Sequence, residues 1–578
     1  MLKSQLSIDL DPVYSRRYDL RFIFVFLLFI IGLLVFAGHL VLLQFLQSSH
    51  LASLAEKQQN HLIEIEPVRG AIYDRRLRPM AFNVAAYSLF ANPKMMKPED
   101  KRKAIYHLSE LLELDPAFIQ ERLNRNKYFV WIKRKLSVDA AKQIRELKIR
   151  GLEFKRESRR HYPNGELASH IIGFSSVDNE GLEGMELVYN SMLKGKPGQM
   201  YTLRDARHNE LMIEKDIILP TNGSSMMLTI DETIQYIAEH ALRAAFTKHH
   251  AKSASIIVMD VKTGEILAMA NQPTYNLEHA ASSNIESRTN RVVSFVYEPG
   301  SVFKVITAAA ALEEGVFTEQ DKVFCENGSY KVANNILHDH HPHGTLTFRE
   351  VFEMSSNIGV TKIAQKLTPG TFYKYAKRFR FGTKTGIDLK GEVNGLLKPP
   401  SVWSKTSIGA IPIGQEVTVT PLQMLGAMAA IANGGAYMQP YIVKTIKDNN
   451  EKIVKSVEPK ILDHVISPET ARRVTEILVG VTEKGTGKAA LIKGMRVAGK
   501  TGTSQKVVDG KYSHSQFFAS FCGFAPADNP RLAAIVVVEE PRPSYFGGTV
   551  AAPVFKEVIE NSLKYLDVSG DSLEVSIR

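Results

Sequence analysis

Phe22 to Leu46 is an apolar run broken only by His39 and Gln44. A helix rises about 1.5 Å per residue, so these 25 positions outspan a hydrocarbon core of roughly 30 Å. The run exceeds the apolar region of a signal peptide, and Gln47-Ser48-Ser49-His50-Leu51 after it offers no small-residue cleavage site. A single retained N-terminal transmembrane helix over residues 22–46 is therefore expected. Lys3, Arg16, Arg17 and Arg21 precede it and the next clear cation is Lys57, which puts a tail of residues 1–21 in the cytoplasm and everything after residue 46 outside. His39, near the outer end, is read as an interfacial residue or one packed on a partner helix, not as part of a proton path.

The whole chain of 578 residues, at 44% apolar and 23% charged, is long enough for about two to four ordinary globular domains. A net charge of +11 suits an acidic partner such as a lipid leaflet or an anionic polymer, and equally an ordinary basic protein. Two cysteines, Cys325 and Cys522, are too few for a disulfide scaffold and are read as buried apolar residues. Residues 47–225 are assigned to a linker and pedestal: a charged helical linker from Leu51 to Glu66, a strand from Pro67 into a turn at Asp74, helix over 98–114, extended chain over 151–162, and turns at 181–186. This section carries no nucleophile, base and acid set. Its arginines Arg156, Arg159, Arg160, Arg204 and Arg207 are read as a solvated or salt-bridged face. A boundary at Pro220-Thr221-Asn222-Gly223 opens a second domain, 226–566, of alternating strands and apolar helices, with a short tail at 567–578.

The chemistry gathers in Glu298-Pro299-Gly300-Ser301-Val302-Phe303-Lys304, where a Pro-Gly break feeds an apolar helix that stops at Glu313-Glu314-Gly315. Ser301 and Lys304 are three apart and share a helical face, in a first turn whose backbone N–H groups are free to bind developing negative charge. Lys304 lies among Phe303, Val305, Ile306 and four alanines, so it is expected to be buried. An ordinary lysine, with a pKa near 10.4, is neutral about once in a few thousand molecules at pH 7; burial makes the amine a usable base.

S-x-x-K also arises by chance, so the reading needs companions. Ser355-Ser356-Asn357 is a polar triplet between the apolar helical runs 348–354 and 358–367. Ser355 suits a proton relay, and Asn357 offers a donor and an acceptor to a substrate amide, although a plain N-cap has the same composition. Residues 495–504 read as an edge strand backed by strands at 515–524 and 531–539. There Lys500, Thr501 and Thr503, with Gly502 admitting a ligand close to the backbone, suit a carboxylate-ended substrate that adds as a further strand. Gly494 to Thr501 also fits a phosphate-binding loop, but the β-branched, glycine-bearing sequence after Lys500 starts no helix, so no nucleotide site is expected. Lys384-Thr385-Gly386 is read as a turn. His338-Asp339-His340-His341-Pro342-His343 lacks a second set of ligands and is read as a polar loop near the cleft, with no metal. No cofactor and no nucleic-acid partner are expected.

Ser301-x-x-Lys304, Ser355-x-Asn357 and Lys500-Thr501-Gly502-Thr503, in that order, make the chain resemble the penicillin-binding, serine-lysine acyltransferase family. Arg69 to Arg75, Gly181 to Glu186, Pro299-Gly300-Ser301 and Gly547 to Phe555 look like class B monofunctional members, and the Ser-Ser-Asn and Lys-Thr-Gly-Thr forms are similar to the FtsI-type division transpeptidase. The resemblance implies an α/β multidomain protein of the bacterial inner membrane: one N-terminal transmembrane helix, an elongated α+β pedestal, and a transpeptidase domain with a central antiparallel sheet between helical layers. It implies cross-linking of peptidoglycan stem peptides through a Ser301 acyl-enzyme with release of D-alanine, inhibition by β-lactams, and a membrane glycosyltransferase of the FtsW kind and other divisome proteins as companions. It also implies that Thr501 and Thr503 bind the terminal carboxylate and that the backbone of Thr503 completes the oxyanion site. An elongation-type transpeptidase, a D,D-carboxypeptidase, and a non-catalytic divisome scaffold or β-lactam sensor remain alternatives. A β-lactamase is disfavoured, because no base for rapid deacylation is evident.

Overall fold

The computed structural model describes residues 12–204 and 210–568. The first 11 residues of the expected tail, Arg207, and the C-terminal tail from residue 569 lie outside the described residues. The chain divides into two compact units, one from Met1–Glu66 and Pro197–Thr221, the other from Pro67–Lys196 and Asn222–Arg578.

In the first unit, helix Pro12–Val41 runs on into a π-helical stretch, Leu42–Leu46. Residues Leu20–Leu46 are long and apolar enough to cross a membrane, and none of this span is buried in the protein. The linker differs from expectation. Its helix, Ser48–Gln59, stops seven residues before Glu66, and Asn60–Ile65 is a strand in a three-stranded sheet with Gly198–Arg204 and Glu210–Ile218. Pairing with strands some 140 residues away outweighs the local helical preference of the charged linker, as tertiary context commonly does.

The second unit contains two larger sheets. One has seven strands and takes Ile453–Ser456, Val443–Lys447 and Ser225–Leu228 from the later part of the chain and Ile72–Tyr73, Pro79–Ala91, Val130–Leu136 and Leu152–His161 from the earlier part. Pedestal and second domain thus share a sheet. Helices Pro98–Leu112 and Pro116–Leu123 close a small core over it, with Leu89, Ala104, Leu108, Ile119, Leu123 and Ile132 inside. Of the arginines expected on a surface face, Arg156 and Arg159 are exposed, whereas Arg160 turns inward to Glu186. Glu186 also takes Arg69, and both arginine and carboxylate have fully buried side chains.

The other sheet organises the second domain. Its strands are β1 (Ser253–Asp260), β2 (Ile266–Gln272), β3 (Ala498–Val508), β4 (Lys511–Ala525) and β5 (Leu532–Glu539), all antiparallel, in the order β2-β1-β5-β4-β3. Every residue of β1 and β5 is buried, because both faces are covered. Successive side chains alternate between two cores, as the pleat requires. Ile256 and Val258 meet helices Glu232–Lys248 and Ala552–Tyr565, while Ile257 and Met259 meet the layer containing Lys304–Glu313 and Pro421–Ala432. β4 begins at Lys511, four residues earlier than expected. The reason is the two-residue turn Asp509-Gly510, with φ of +51° and +76°, a left-handed pair that matches the twist of a tight hairpin. Cys325 and Cys522 are free and buried.

Candidate active site

Ser301 lies in a 3₁₀ turn, Gly300–Phe303, that leads into the α-helix Lys304–Glu313, where a single α-helix was expected. The tighter turn matters. In 3₁₀ geometry residues i and i+3 eclipse, and the Lys304 N–H bonds to the Ser301 carbonyl, so the lysine side chain leaves the turn directly over the serine. The turn is held by backbone packed on backbone. Gly300 (φ +55°) donates its N–H to the Gly414 carbonyl at 3.1 Å, and a Cβ on Gly414 would lie 2.1 Å from the Gly300 oxygen.

Ser355 has φ of +60°, a left-handed conformation that costs a side-chain-bearing residue about 1 kcal/mol. The bend turns both its carbonyl oxygen and its hydroxyl towards Lys304, whose Nζ donates to Ser355 O at 2.7 Å, Asn357 Oδ1 at 2.7 Å and Ser355 Oγ at 3.2 Å. Lys500 Nζ donates to the same Ser355 Oγ at 2.9 Å. Both lysines have no exposed surface. Burial, and then the charge of Lys500, push Lys304 well below the usual lysine range, with Asp339 acting in the opposite sense. Burial alone brings Lys500 down to about 7. The Ser301 hydroxyl, half-buried, makes no hydrogen bond to a described residue.

β3 is the edge strand of the sheet. Thr501 Oγ1 pairs with Thr486 Oγ1 at 2.7 Å, and Thr503 Oγ1 accepts the Gly547 N–H at 3.1 Å. The glycine amide occupies an acceptor site on Thr503, so that hydroxyl keeps its proton to donate. At Gly502 a Cβ would lie 2.3 Å from Ser520 Oγ, 2.8 Å from Val302 Cγ2 and 2.9 Å from Pro299 O, so its bare backbone also lets the serine turn dock on the strand. Gly502→Ala is accordingly expected to push the turn aside and slow acylation of Ser301 by about 100-fold, the usual consequence of a displacement near 1 Å. Time courses of labelling by a fluorescent penicillin check this, and a rate within twofold of the parent would refute it.

The sequence reading placed Ser301, Lys304, Ser355, Asn357 and Lys500 in one site, and the fold brings the last four into a single hydrogen-bonded cluster one turn from the first. It missed Asp339, Thr486 and Gly414. Asp339 sits inside the histidine-rich segment, read from sequence as a polar loop near the cleft with no role for this carboxylate; it accepts from Ser356 Oγ at 2.6 Å, Asn357 N at 2.5 Å and Ile358 N at 3.0 Å. Thr486 stands between Gly485 and Gly487, a pattern that could have marked a close approach. Lys384-Thr385-Gly386 lies in a loop held by Glu392, which accepts from Thr385 N and Oγ1, both at 2.6 Å. Among the described residues no group of three or more His, Cys, Asp or Glu is placed to hold a metal ion.

This site can be set beside known proteins. The penicillin-binding protein transpeptidase domain family matches residues 254–560, and the penicillin-binding protein dimerisation domain family matches residues 64–228. The chain belongs to the class B penicillin-binding proteins. As such it is a serine-type peptidoglycan D,D-transpeptidase, and its relatives agree. The Bacillus subtilis stage V sporulation protein D is 36% identical over 95% of this chain and 86% of its own. The Escherichia coli peptidoglycan D,D-transpeptidase FtsI is 32% identical over 94% of this chain and 91% of its own. Among solved structures, penicillin-binding protein 3 of Mycobacterium tuberculosis in complex with aztreonam superposes with a TM-score of 0.68 at 28% identity, covering 88% of this chain and 98% of that one. A peptidoglycan synthetase from Bifidobacterium adolescentis gives 0.72 at 25% identity, covering 89% and 98%. The central antiparallel sheet between helical layers, the pedestal and the apolar N-terminal helix are those of a class B penicillin-binding protein.

Proposed function

We propose that Ser301 is the nucleophile and Lys304 its base in the cross-linking of stem peptides at the division septum. What supports the residue roles is the meeting of Lys304, Ser355, Asn357 and Lys500 one turn from Ser301. A neutral lysine has two N–H groups and one lone pair. Ser355 O and Asn357 Oδ1, both acceptors only, take the two N–H groups at 2.7 Å each, so in the neutral amine the longer contact to Ser355 Oγ at 3.2 Å is no longer donated to and the lone pair is left for a hydroxyl proton. Ser301 Oγ attacks the carbonyl between the two terminal D-alanines and its proton passes to Lys304. The backbone N–H groups of Ser301 and Thr503 hold the oxyanion, each worth about 3–4 kcal/mol. The C–N bond then breaks; Ser355, bridging Lys304 and Lys500, hands its proton to the departing D-alanine amine and takes in its place the proton that Lys304 received. An amine of a neighbouring stem attacks the ester and gives up a proton to Lys304, the ester C–O bond breaks as the amide forms, and Lys304 returns that proton to Ser301. Lys500 supplies positive potential, and Thr501 and Thr503 donate to the terminal carboxylate. A β-lactam enters by the same attack and stalls at the ester.

The N-terminal cations favour a cytoplasmic N-terminus with the transpeptidase domain outside the inner membrane. The Ser-Ser-Asn and Lys-Thr-Gly-Thr forms favour septal use, with an FtsW-type glycosyltransferase as companion. Ser301→Ala is expected to abolish labelling by fluorescent penicillin with folding intact; persistent labelling would refute the nucleophile. Product analysis with donor and acceptor stems separates cross-linking from trimming by water, the carboxypeptidase alternative. Filaments on depletion support the septal role, and round cells would refute it.

A further inference from the structure

We propose that Asp339 is a positioning residue for acyl transfer, fixing the Ser355–Asn357 loop and supplying a negative charge close to Lys304. The inference deepens the preceding reading and rests on Lys304 as base. Asp339 follows strand Asn335–His338, which forms a hairpin with Ser329–Val332. Its own N–H is tied to Gly328 O at 3.2 Å, so the carboxylate is presented from a braced backbone. One oxygen accepts Asn357 N and Ile358 N, the first two amides of helix Asn357–Leu367; the other accepts Ser356 Oγ. A carboxylate is the best cap for such amides, because the helix dipole adds to the hydrogen bonds. The neighbouring His338 carbonyl accepts Asn357 Nδ2 at 2.9 Å, which fixes the orientation of the Asn357 amide and aims Oδ1 at Lys304. The hairpin therefore holds both sides of the residue that holds the base.

Ser355 spends its strained φ in a loop that has to stay where Lys304 and Lys500 can share its hydroxyl, and Asp339 pins the two residues that follow it. The charged and titratable groups facing Lys304 are Lys500 on β3, and Asp339 and its neighbour His340 on the hairpin loop. Lys500 disfavours a proton on Lys304 and Asp339 favours one. His340, lowered by desolvation and then by Lys304, adds no positive charge near neutrality. Asp339 is thus the counterweight to Lys500: it keeps the amine basic enough to take a hydroxyl proton, at the expense of holding more of it protonated in acid.

The test is the pH profile of Ser301 acylation by fluorescent penicillin, measured on the full chain in detergent as wild type, Asp339→Asn and Asp339→Ala. Asparagine keeps an acceptor for the helix amides and removes the charge. Its acid limb is expected to move to lower pH, so that labelling at the acid end rises relative to its own plateau. A group that only braces the loop would lower the plateau and leave the limb in place, and a limb that stays or moves to higher pH overturns the proposal. Asp339→Ala loses the cap and the Ser356 bond together, and its plateau is expected to fall by about tenfold or more; an unchanged plateau overturns the positioning role. A wild-type profile with no acid limb overturns the base assignment and this inference together, whereas a wild-type limb that Asp339→Asn does not shift overturns this inference alone.

Discussion

Lys304→Met is expected to slow acylation of Ser301 by about 1,000-fold or more while the protein stays folded. The side chain keeps its length and loses only the amine, and a positioned general base is worth about 10²–10⁴ in rate. Two acceptors, Ser355 O and Asn357 Oδ1, lose their donor, at a cost of about 1–3 kcal/mol that is offset by no longer burying an amine. Ser355 Oγ keeps its bond from Lys500. Labelling kinetics with a thermal melt of the same sample decide the matter; a loss under tenfold would mean another group takes the proton. The wild-type rate should fall in acid, because protonating Lys304 removes the lone pair that receives it. Lys304 and Lys500 share a hydroxyl, so the limb belongs to the pair. Stability follows the same direction. Lys500 is held near 7 in the fold and near 10.4 unfolded, so the unfolded chain binds more protons across that window and stability from this group rises as pH climbs through it.

Glu186→Gln is expected to lower the stability of the second unit by about 3–5 kcal/mol, the penalty for leaving buried charges without their counterion. The carboxylate accepts Arg69 Nε at 2.6 Å on one oxygen and Arg160 Nε at 2.7 Å on the other. Arg69 spreads further bonds over Asn179 O, Asn190 Oδ1 and Glu186 O, and Arg160 reaches Gly70 O and Asn83 Oδ1. A neutral amide of the same size keeps the packing and leaves two guanidinium charges facing one another. Denaturant unfolding measures the effect, and a change under 1 kcal/mol would show that the arginines are satisfied without the carboxylate. The network joins the start of the pedestal at Arg69 to the strand at Arg160 and to the short helix Gly184–Val188, formed where turns were expected, that carries Glu186, so the loss should also loosen the shared seven-stranded sheet. Lys304 and Glu186 show opposite uses of burial: one charge is destabilised to make a base, the other is fully partnered to make a brace.

Much of this was legible in advance because the signals are local. A 25-residue apolar run broken only by His39 and Gln44, a Pro-Gly break before Ser301, and long apolar runs for β1 and β5 each carry their structural meaning within a short window. The three motifs also carried their chemistry, since a lysine placed among alanines has few fates besides deprotonation or pairing. The Asp509-Gly510 turn was legible too, since Asp-Gly between Val507-Val508 and the aromatic-bearing run from Tyr512 is a hairpin signal. Other features left no such trace. Asn60–Ile65 became a strand through partners far along the chain, Arg160 went inward because Glu186 waits there, and Asp339 gained its place from a hairpin that lands on the next helix.

The sequence by itself determined the long apolar N-terminal helix, the kinds of layer in the second domain and which side chains could do acyl transfer, because periodicity and residue chemistry act over one or two turns. Only the tertiary structure decided that Gly502 makes room for the serine turn, that Ser355 bends into a left-handed conformation to serve two lysines, and that Asp339 caps the segment after it. Those outcomes depend on which backbone approaches which within about 3 Å, and such approaches between distant segments exist only once the sheet and its helices have packed.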